Sequence, residues 1–280
     1  MKKATQRLLN KTGLTLIVAA FSIILILPFL WMISTSFKEA DEIFRAVPKW
    51  LPRNFSFKNY VGVWMRPYFP NYLINSIITS LFTMGIALIT AALCGYGISR
   101  FNFKGKTAFS AVLIIVQMFP SMLLLIPLYL IMQRLGLINT YTSMIIAYTT
   151  FAMPFCTWMV KGYFDTIPVS IEEAARIEGC SHLGILMRII LPLSAPGIVT
   201  VAMFAFILSW QQYLYALTFA RTEPMKTITV GIALMQGQHG SVNWGEIMAG
   251  AIIACLPGLG FFVYLERYLV QGFTMGAIKD

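Results

Sequence analysis

The sequence predicts an all-α, polytopic membrane protein with six transmembrane helices. Mean hydropathy is +0.74. Only 11% of the 280 residues are charged, whereas a soluble domain carries about a quarter. The charges also gather between long charge-free runs instead of spreading along the chain.

The first run, between Lys11 and Lys38, places a helix near residues 14–36. About 20 apolar residues cross a bilayer as helix. Lys2, Lys3, Arg7 and Lys11 resemble the basic start of a signal peptide. The apolar run, however, exceeds the roughly 7–15 residues of such a segment, and no small-residue cleavage site follows. A retained span after a tail of residues 1–13 is expected. Residues 37–70 then form an external loop bearing Trp50, Phe55, Phe57, Tyr60, Trp64, Tyr68 and Phe69, read as an apron on the lipid head groups. Five further runs place spans near residues 71–98, 108–132, 142–163, 195–219 and 247–265. Together they make a membrane core over 71–270 and leave a tail over 271–280. A seventh charge-free run, residues 227–245, is a decoy. Its apolar part, TITVGIALM, is about half the length a span needs, and QGQHGSVNWG breaks it with glycines and amides. A loop with a short helix is expected there.

The net charge of +10 fits a membrane protein better than a nucleic-acid binder, because lysine and arginine gather on cytoplasmic loops. The clusters at Lys2, Lys3, Arg7 and Lys11 and at Arg100, Lys104 and Lys106 favour a cytoplasmic N-terminus. Six spans then return the C-terminus, with Lys279, to the same side. Six basic residues on the first external loop, partly offset by Glu39, Asp41 and Glu42, blunt the asymmetry.

Absences narrow the function. The spans carry no acidic or basic residue at depth, which argues against a proton- or ion-driven carrier. His182 and His239 are the two histidines and no HExxH occurs, against a membrane zinc peptidase. GKT at residues 105–107 ends like a phosphate loop, but the glycine required five positions earlier is Arg100. Cys94, Cys156, Cys180 and Cys255 are isolated and read as small core residues. No catalytic or metal-binding set is expected; if the chain drives transport, the energy has to come from a partner. A polytopic membrane enzyme is the weaker alternative.

The stretch SIEEAARIEG, residues 170–179, holds three of the eleven acidic residues within seven positions. Pro168 ends what precedes it. Ser170 is a good N-cap with Glu173 three positions on, the pattern of a capping box. Glu172 and Glu173 sit at the positive end of the helix dipole. Ala174 and Ala175 offer a smooth flank, and Gly179 supplies the turn out. A second short helix near residues 182–190 is expected to stop at Leu191-Pro192. The sequence thus predicts a bent pair of short helices over residues 165–194, on the cytoplasmic face.

The full pattern is Glu173-Ala174-Ala175, three residues, Gly179, nine residues, Ile189, one residue, Leu191-Pro192. It resembles the EAA signature of bacterial ABC importer permeases. YTTFAMPFCTWMVKGYFDTIP before it, SWQQYLYAL after it and the closing QGFTMGAIKD are similar to the carbohydrate branch, the maltose-permease G-like type of inner-membrane component of binding-protein-dependent transport. The resemblance implies a type I ABC importer permease fold in the bacterial inner membrane. It implies a second permease subunit, two ABC ATPases that use ATP and Mg, an extracytoplasmic solute-binding protein, and no cofactor on this chain. It implies docking of the loop on an ATPase, carried by Glu172, Glu173, Ala174, Ala175, Gly179, Leu191 and Pro192. The tail from Gly272 onward resembles a segment that reaches the ATPases.

A sugar path needs amides, hydroxyls and aromatic faces rather than charges. Trp210, Gln211, Gln212, Tyr213 and Tyr215 in the fifth span form the densest such group. The family often carries Asn-Glu where this chain has Gln211-Gln212. Gln117, among the internal prolines Pro120 and Pro127, joins them; Pro154 and Pro257 interrupt two further spans. Broken helices often frame transporter sites. The loop over residues 221–245, with His239 and Trp244, is the candidate for meeting a binding protein. A non-sugar cargo is the alternative within the same class.

Overall fold

The computed structural model describes residues 2–45, 47–236 and 242–276, with side chains described for 13–45, 47–236 and 242–266. The expectations attached to His239, to Lys279 and to the last four residues of the tail lie outside these, as do the side chains of Lys2, Lys3, Arg7 and Lys11. All described regular structure is helical.

The helices in chain order are α1 (Lys2–Ser36), α2 (Ala40–Ile43), α3 (Lys58–Met65), α4 (Phe69–Arg100), α5 (Lys106–Met118), α6 (Ser121–Arg134) and α7 (Tyr141–Asp165). After these come α8 (Val169–Ile177), α9 (His182–Ile185), a π-helical turn (Leu186–Ile190), α10 (Leu191–Leu193), α11 (Ala195–Trp210), α12 (Leu214–Phe219), α13 (Ile228–Leu234) and α14 (Trp244–Gly276). Four helices are unbroken and apolar enough to cross a membrane, containing Gly13–Ser36, Phe69–Arg100, Tyr141–Asp165 and Trp244–Glu266; two bent helix pairs bring the number to six.

The predicted third span is not one helix. α5 and α6 meet at 100°. Phe119 is extended (φ −72°, ψ 127°) because the following Pro120 excludes the helical region. At about 1.5 Å per residue, neither half alone covers a hydrocarbon core of roughly 30 Å. The predicted fifth span is also interrupted. α11 ends at Trp210, and α12 begins only after Gln211, Gln212 and Tyr213. Nor does Leu191-Pro192 stop the preceding helix. Pro192 has no N–H to give, and the chain absorbs this by widening into the π turn, where Leu191 N–H donates to Leu186 O. The sharp change of direction, 85°, comes later, around Ser194.

The chain divides into two compact units. One comprises residues 1–67 and 232–253, the other 68–231 and 254–280. In the first, Phe37 gathers Phe55, Phe57 and Tyr60 at ring distances of 5.2–5.8 Å. Asn59 Nδ2 donates to Ser36 O and Lys38 O, and Arg66 pairs with Glu246. The aromatic loop that follows α1 is therefore organised around Phe37, although Phe55, Phe57, Trp50 and Trp64 stay exposed.

The second unit is built on α4 against α7. Ala87, Ala91 and Gly95 recur every four residues on α4, and Ala152, Cys156 and Val160 do so on α7. Small residues let membrane helices approach closely when no water is there to drive them together. The approach is tightest at Gly95, where a Cβ would lie 3.1 Å from Val160 Cγ1 and 3.2 Å from the Lys161 backbone nitrogen. Val201 and Ala205 of α11 complete this core, as do Ala175, Ile185, Leu186 and Ile190 from the α7–α11 connection.

Candidate functional site

The α7–α11 connection is fastened to the bundle by one arginine. Arg100, the last residue of α4, pairs through Nε with Glu172 Oε1 in the first turn of α8. Its Nη2 donates to Phe164 O at 2.8 Å and Ile167 O at 3.0 Å, carbonyls at and just beyond the C-terminus of α7. Tyr96 Oη donates to the other Glu172 oxygen at 3.0 Å. One guanidinium thus satisfies α7's terminal carbonyls and the α8 carboxylate together, joining three helix ends. The side chains are 6% and 0% exposed. A carboxylate survives such burial because every favourable partner is present.

This changes the reading of individual residues. Arg100, counted above in the basic cluster with Lys104 and Lys106, is a buried clamp. Glu172 and Ala175 of the predicted coupling set face the core, whereas Glu173, Ala174, Gly179 and Pro192 are exposed and Leu191 is half-buried. The predicted capping box does not form. Pro168, with its fixed φ, opens the helix, so Ser170 falls inside the first turn, and no side chain caps it. Glu173 is thereby left exposed on the surface. The exit from α8 follows expectation: Gly179 has φ +86°. Cys180 N–H reaches Ala175 O and Gly179 N–H reaches Arg176 O, a Schellman closure.

Sequence reading missed the apolar part of this surface. Ile177 is 88% exposed, and Leu183 and Met187 are also exposed. Their signal was an apolar residue on the polar flank of α8, opposite Ala175. Phe101 packs edge-on against the His182 ring at 5.1 Å, bringing α9 beside the end of α4.

The two breaks in the predicted third and fifth spans meet around Tyr215. Tyr215 is buried, and its hydroxyl donates to Ser121 O at 2.6 Å, the first residue of α6. Its ring lies 5.0 Å from Phe151, midway along α7. Gln117 Nε2 approaches Phe151 O at 3.4 Å. Of the predicted pathway residues, Tyr215 is a packing residue, because its ring and hydroxyl are both occupied. Trp210 stacks on Phe206 and donates to Ala254 O at 3.2 Å. Gln117, Gln211 and Tyr213 are exposed at or beside the two breaks, and Gln212 is half-buried with its carbonyl taken by Thr229 Oγ1.

No group of three His, Cys, Asp or Glu among the described residues is arranged to hold a metal ion.

Residues 85–274 match the family described as binding-protein-dependent transport system inner membrane component. The chain is 36% identical over 260 residues to the trehalose/maltose transport system permease protein MalG of Thermococcus litoralis, covering 92% of this chain and 93% of that protein. It is 35% identical over 255 residues to the trehalose transport system permease protein SugB of Mycobacterium tuberculosis, covering 91% and 92%. A chain from the crystal structure of a bacterial ABC transporter involved in import of the acidic polysaccharide alginate superposes with a TM-score of 0.82 at 20% identity, covering 94% of this chain and 97% of that one. That last likeness speaks for the fold.

Proposed function

The chain belongs to the family of binding-protein-dependent transport system inner membrane components, and from that membership we propose that it serves a sugar importer and couples through the α7–α11 connection. As a member it is a multi-pass inner-membrane transport subunit of the ABC type, not an enzyme, and has no cofactor of its own. The cargo we propose is an oligosaccharide. The sugars for which the two relatives are named, trehalose and maltose, support this, as do uncharged amides and a tyrosine at the breaks. The companions are a second permease subunit, two ABC ATPases using ATP and Mg, and an extracytoplasmic solute-binding protein. Both termini are cytoplasmic in this reading, which puts α8 on the ATPase side.

The observation that carries the reading is the construction of α8. Its inner face is locked into the bundle by Glu172 and Arg100. Its outer face offers Glu173, Ala174, Gly179 and the apolar Ile177. A helix pinned on one side and bare on the other passes on a displacement; a floppy loop dissipates it. Glu173, freed from any cap, is a contact residue. Gln117, Gln211, Gln212 and Tyr213 line the path at the breaks.

The test is reconstitution with the neighbouring subunits in liposomes. Gly179→Val forces a β-branched residue into positive φ and is expected to cut sugar uptake per ATP hydrolysed by about tenfold while membrane insertion is kept. Normal coupled uptake in that variant removes Gly179 from the coupling surface. Stimulation by a non-sugar solute alone overturns the cargo.

A further inference from the structure

In the first unit, the loop after α2 turns a tip outward. Lys49, Trp50, Leu51 and Arg53 are all exposed, Trp50 by 55% and Leu51 by 73%, while Pro52 between them is buried. The tip is tied to the end of α1 at three points. The Trp31 ring meets Trp50 edge-on at 5.1 Å, Ser34 Oγ donates to Trp50 O, and Lys38 Nζ donates to Lys49 O at 2.6 Å. Its depth is therefore that of the last turns of α1. The apolar stretch Gly13–Ser36 has 24 residues. At about 1.5 Å per residue it outreaches a hydrocarbon core of roughly 30 Å. Those turns, and the tip with them, stand at the level of the lipid head groups.

The acidic residues of this unit already have partners. Glu39 takes Lys58 at 2.8 Å, Asp41 faces Arg45 at 3.6 Å, and Glu246 takes Arg66. Glu42 is buried and accepts the backbone N–H of Arg53 at 2.9 Å. The side chains of Lys49 and Arg53 have no ion pair or hydrogen bond among the described residues. Two uncompensated cations thus flank an exposed indole and an exposed leucine.

We propose that this tip holds an anionic phospholipid of the leaflet at the C-terminal end of α1, with Lys49 and Arg53 on its phosphate and Trp50 and Leu51 against the upper acyl chains. The chemistry selects this occupant. Indoles settle at the membrane interface, and basic residues close to a membrane surface attract anionic lipid. An apron of aromatic rings lies on any lipid; the two cations add a preference for charge. A zwitterionic lipid brings its own ammonium group beside the phosphate, which two unpaired cations repel, and phosphatidylglycerol does not. A soluble protein meets charges as well, but a tip held at head-group depth faces lipid first. The inference needs α1 to cross the membrane and is independent of the cargo.

The test uses the assembled transporter in nanodiscs of phosphatidylcholine doped with a photoreactive lipid, either phosphatidylglycerol or phosphatidylcholine carrying the same diazirine near its ester linkage. Adducts on residues 47–57 of this chain are counted by mass spectrometry, and the ratio of the two lipids there is divided by the ratio over the rest of the chain. That preference is expected to favour phosphatidylglycerol by at least about fivefold, the size of one basic residue at an anionic surface. Lys49→Gln and Arg53→Gln are each expected to lower it, and the double variant to bring it to parity. Both side chains are exposed, so the fold is kept. Arg134→Gln, which removes a cation at the end of α6, is expected to leave it unchanged. Equal adducts from both lipids, a preference that survives the double variant, or one that falls as far with Arg134→Gln overturns the site. So does the absence of adducts from either lipid, which marks a tip covered by protein.

Discussion

The two ends of the α4–α7 pair are tied by opposite means. At one end, the Arg100–Glu172 pair is buried whole and joins three helix ends, with Tyr96 on the second carboxylate oxygen. At the other end the deep tie is neutral. Asn75, 2% exposed, donates to Pro224 O and Lys226 O at 2.8 Å each and accepts from Tyr141 Oη at 2.7 Å. The ionic pair there, Lys226 with Glu223, lies nearer the surface, with Glu223 41% exposed and also accepting from Tyr72. A neutral amide holds a loop in place at modest cost. A buried ion pair tolerates no loss of either partner, so it fastens the three helix ends as one piece.

The contrast breaks most readily at the charged end. Glu172→Ala leaves Arg100 buried without its counter-charge and is expected to cost about 3–5 kcal/mol, read as a drop in the denaturation midpoint of the purified complex. Replacing both residues by apolar ones of similar volume is expected to recover much of that stability. A loss below about 1 kcal/mol in the single variant would make the charged end no stronger a tie than the neutral one.

Asn75→Ala tests the neutral end. It strips partners from two backbone carbonyls and a tyrosine hydroxyl, and about 1–3 kcal/mol is expected. Its mark is local: hydrogen exchange over residues 222–228 should accelerate while α8 stays protected. Acceleration in α8 as well would mean that the two ends do not open independently.

The smallest effect is a pH dependence. The hydrogen bond from Lys226 holds the Glu223 carboxyl below its ordinary value, against the raising effect of burial and with help from Tyr72. Its folded value is depressed, so its contribution is present above the unfolded carboxylate range and fades as pH falls through the folded value. Solvent screens this exposed pair. Glu223→Gln is therefore expected to flatten the acid limb of the stability profile slightly and to lower the neutral-pH plateau by the same small amount. A shift at neutral pH comparable to that of Asn75→Ala would show that the charge, not the amide, anchors this end.

The sequence by itself determined what is local. Runs of apolar residues set which segments are long enough to cross a membrane, and α1, α4, α7 and α14 contain the expected stretches. Gly179 closes α8 because only its neighbours and its own φ are involved. Pro120 announced a break but not its angle of 100°, which depends on what α5 and α6 pack against. The interruption at Gln211–Tyr213 carried no proline or glycine to announce it; amides and an aromatic were visible there, but not the loss of helix. Only the tertiary structure decided that Glu172 turns inward and Glu173 outward, since both are acidic, adjacent and equally suited to a helix start. Their separation rests on Arg100, 72 positions earlier in the chain. A charge enters a low-dielectric core only where its partner already stands, and no local pattern records where that partner will be.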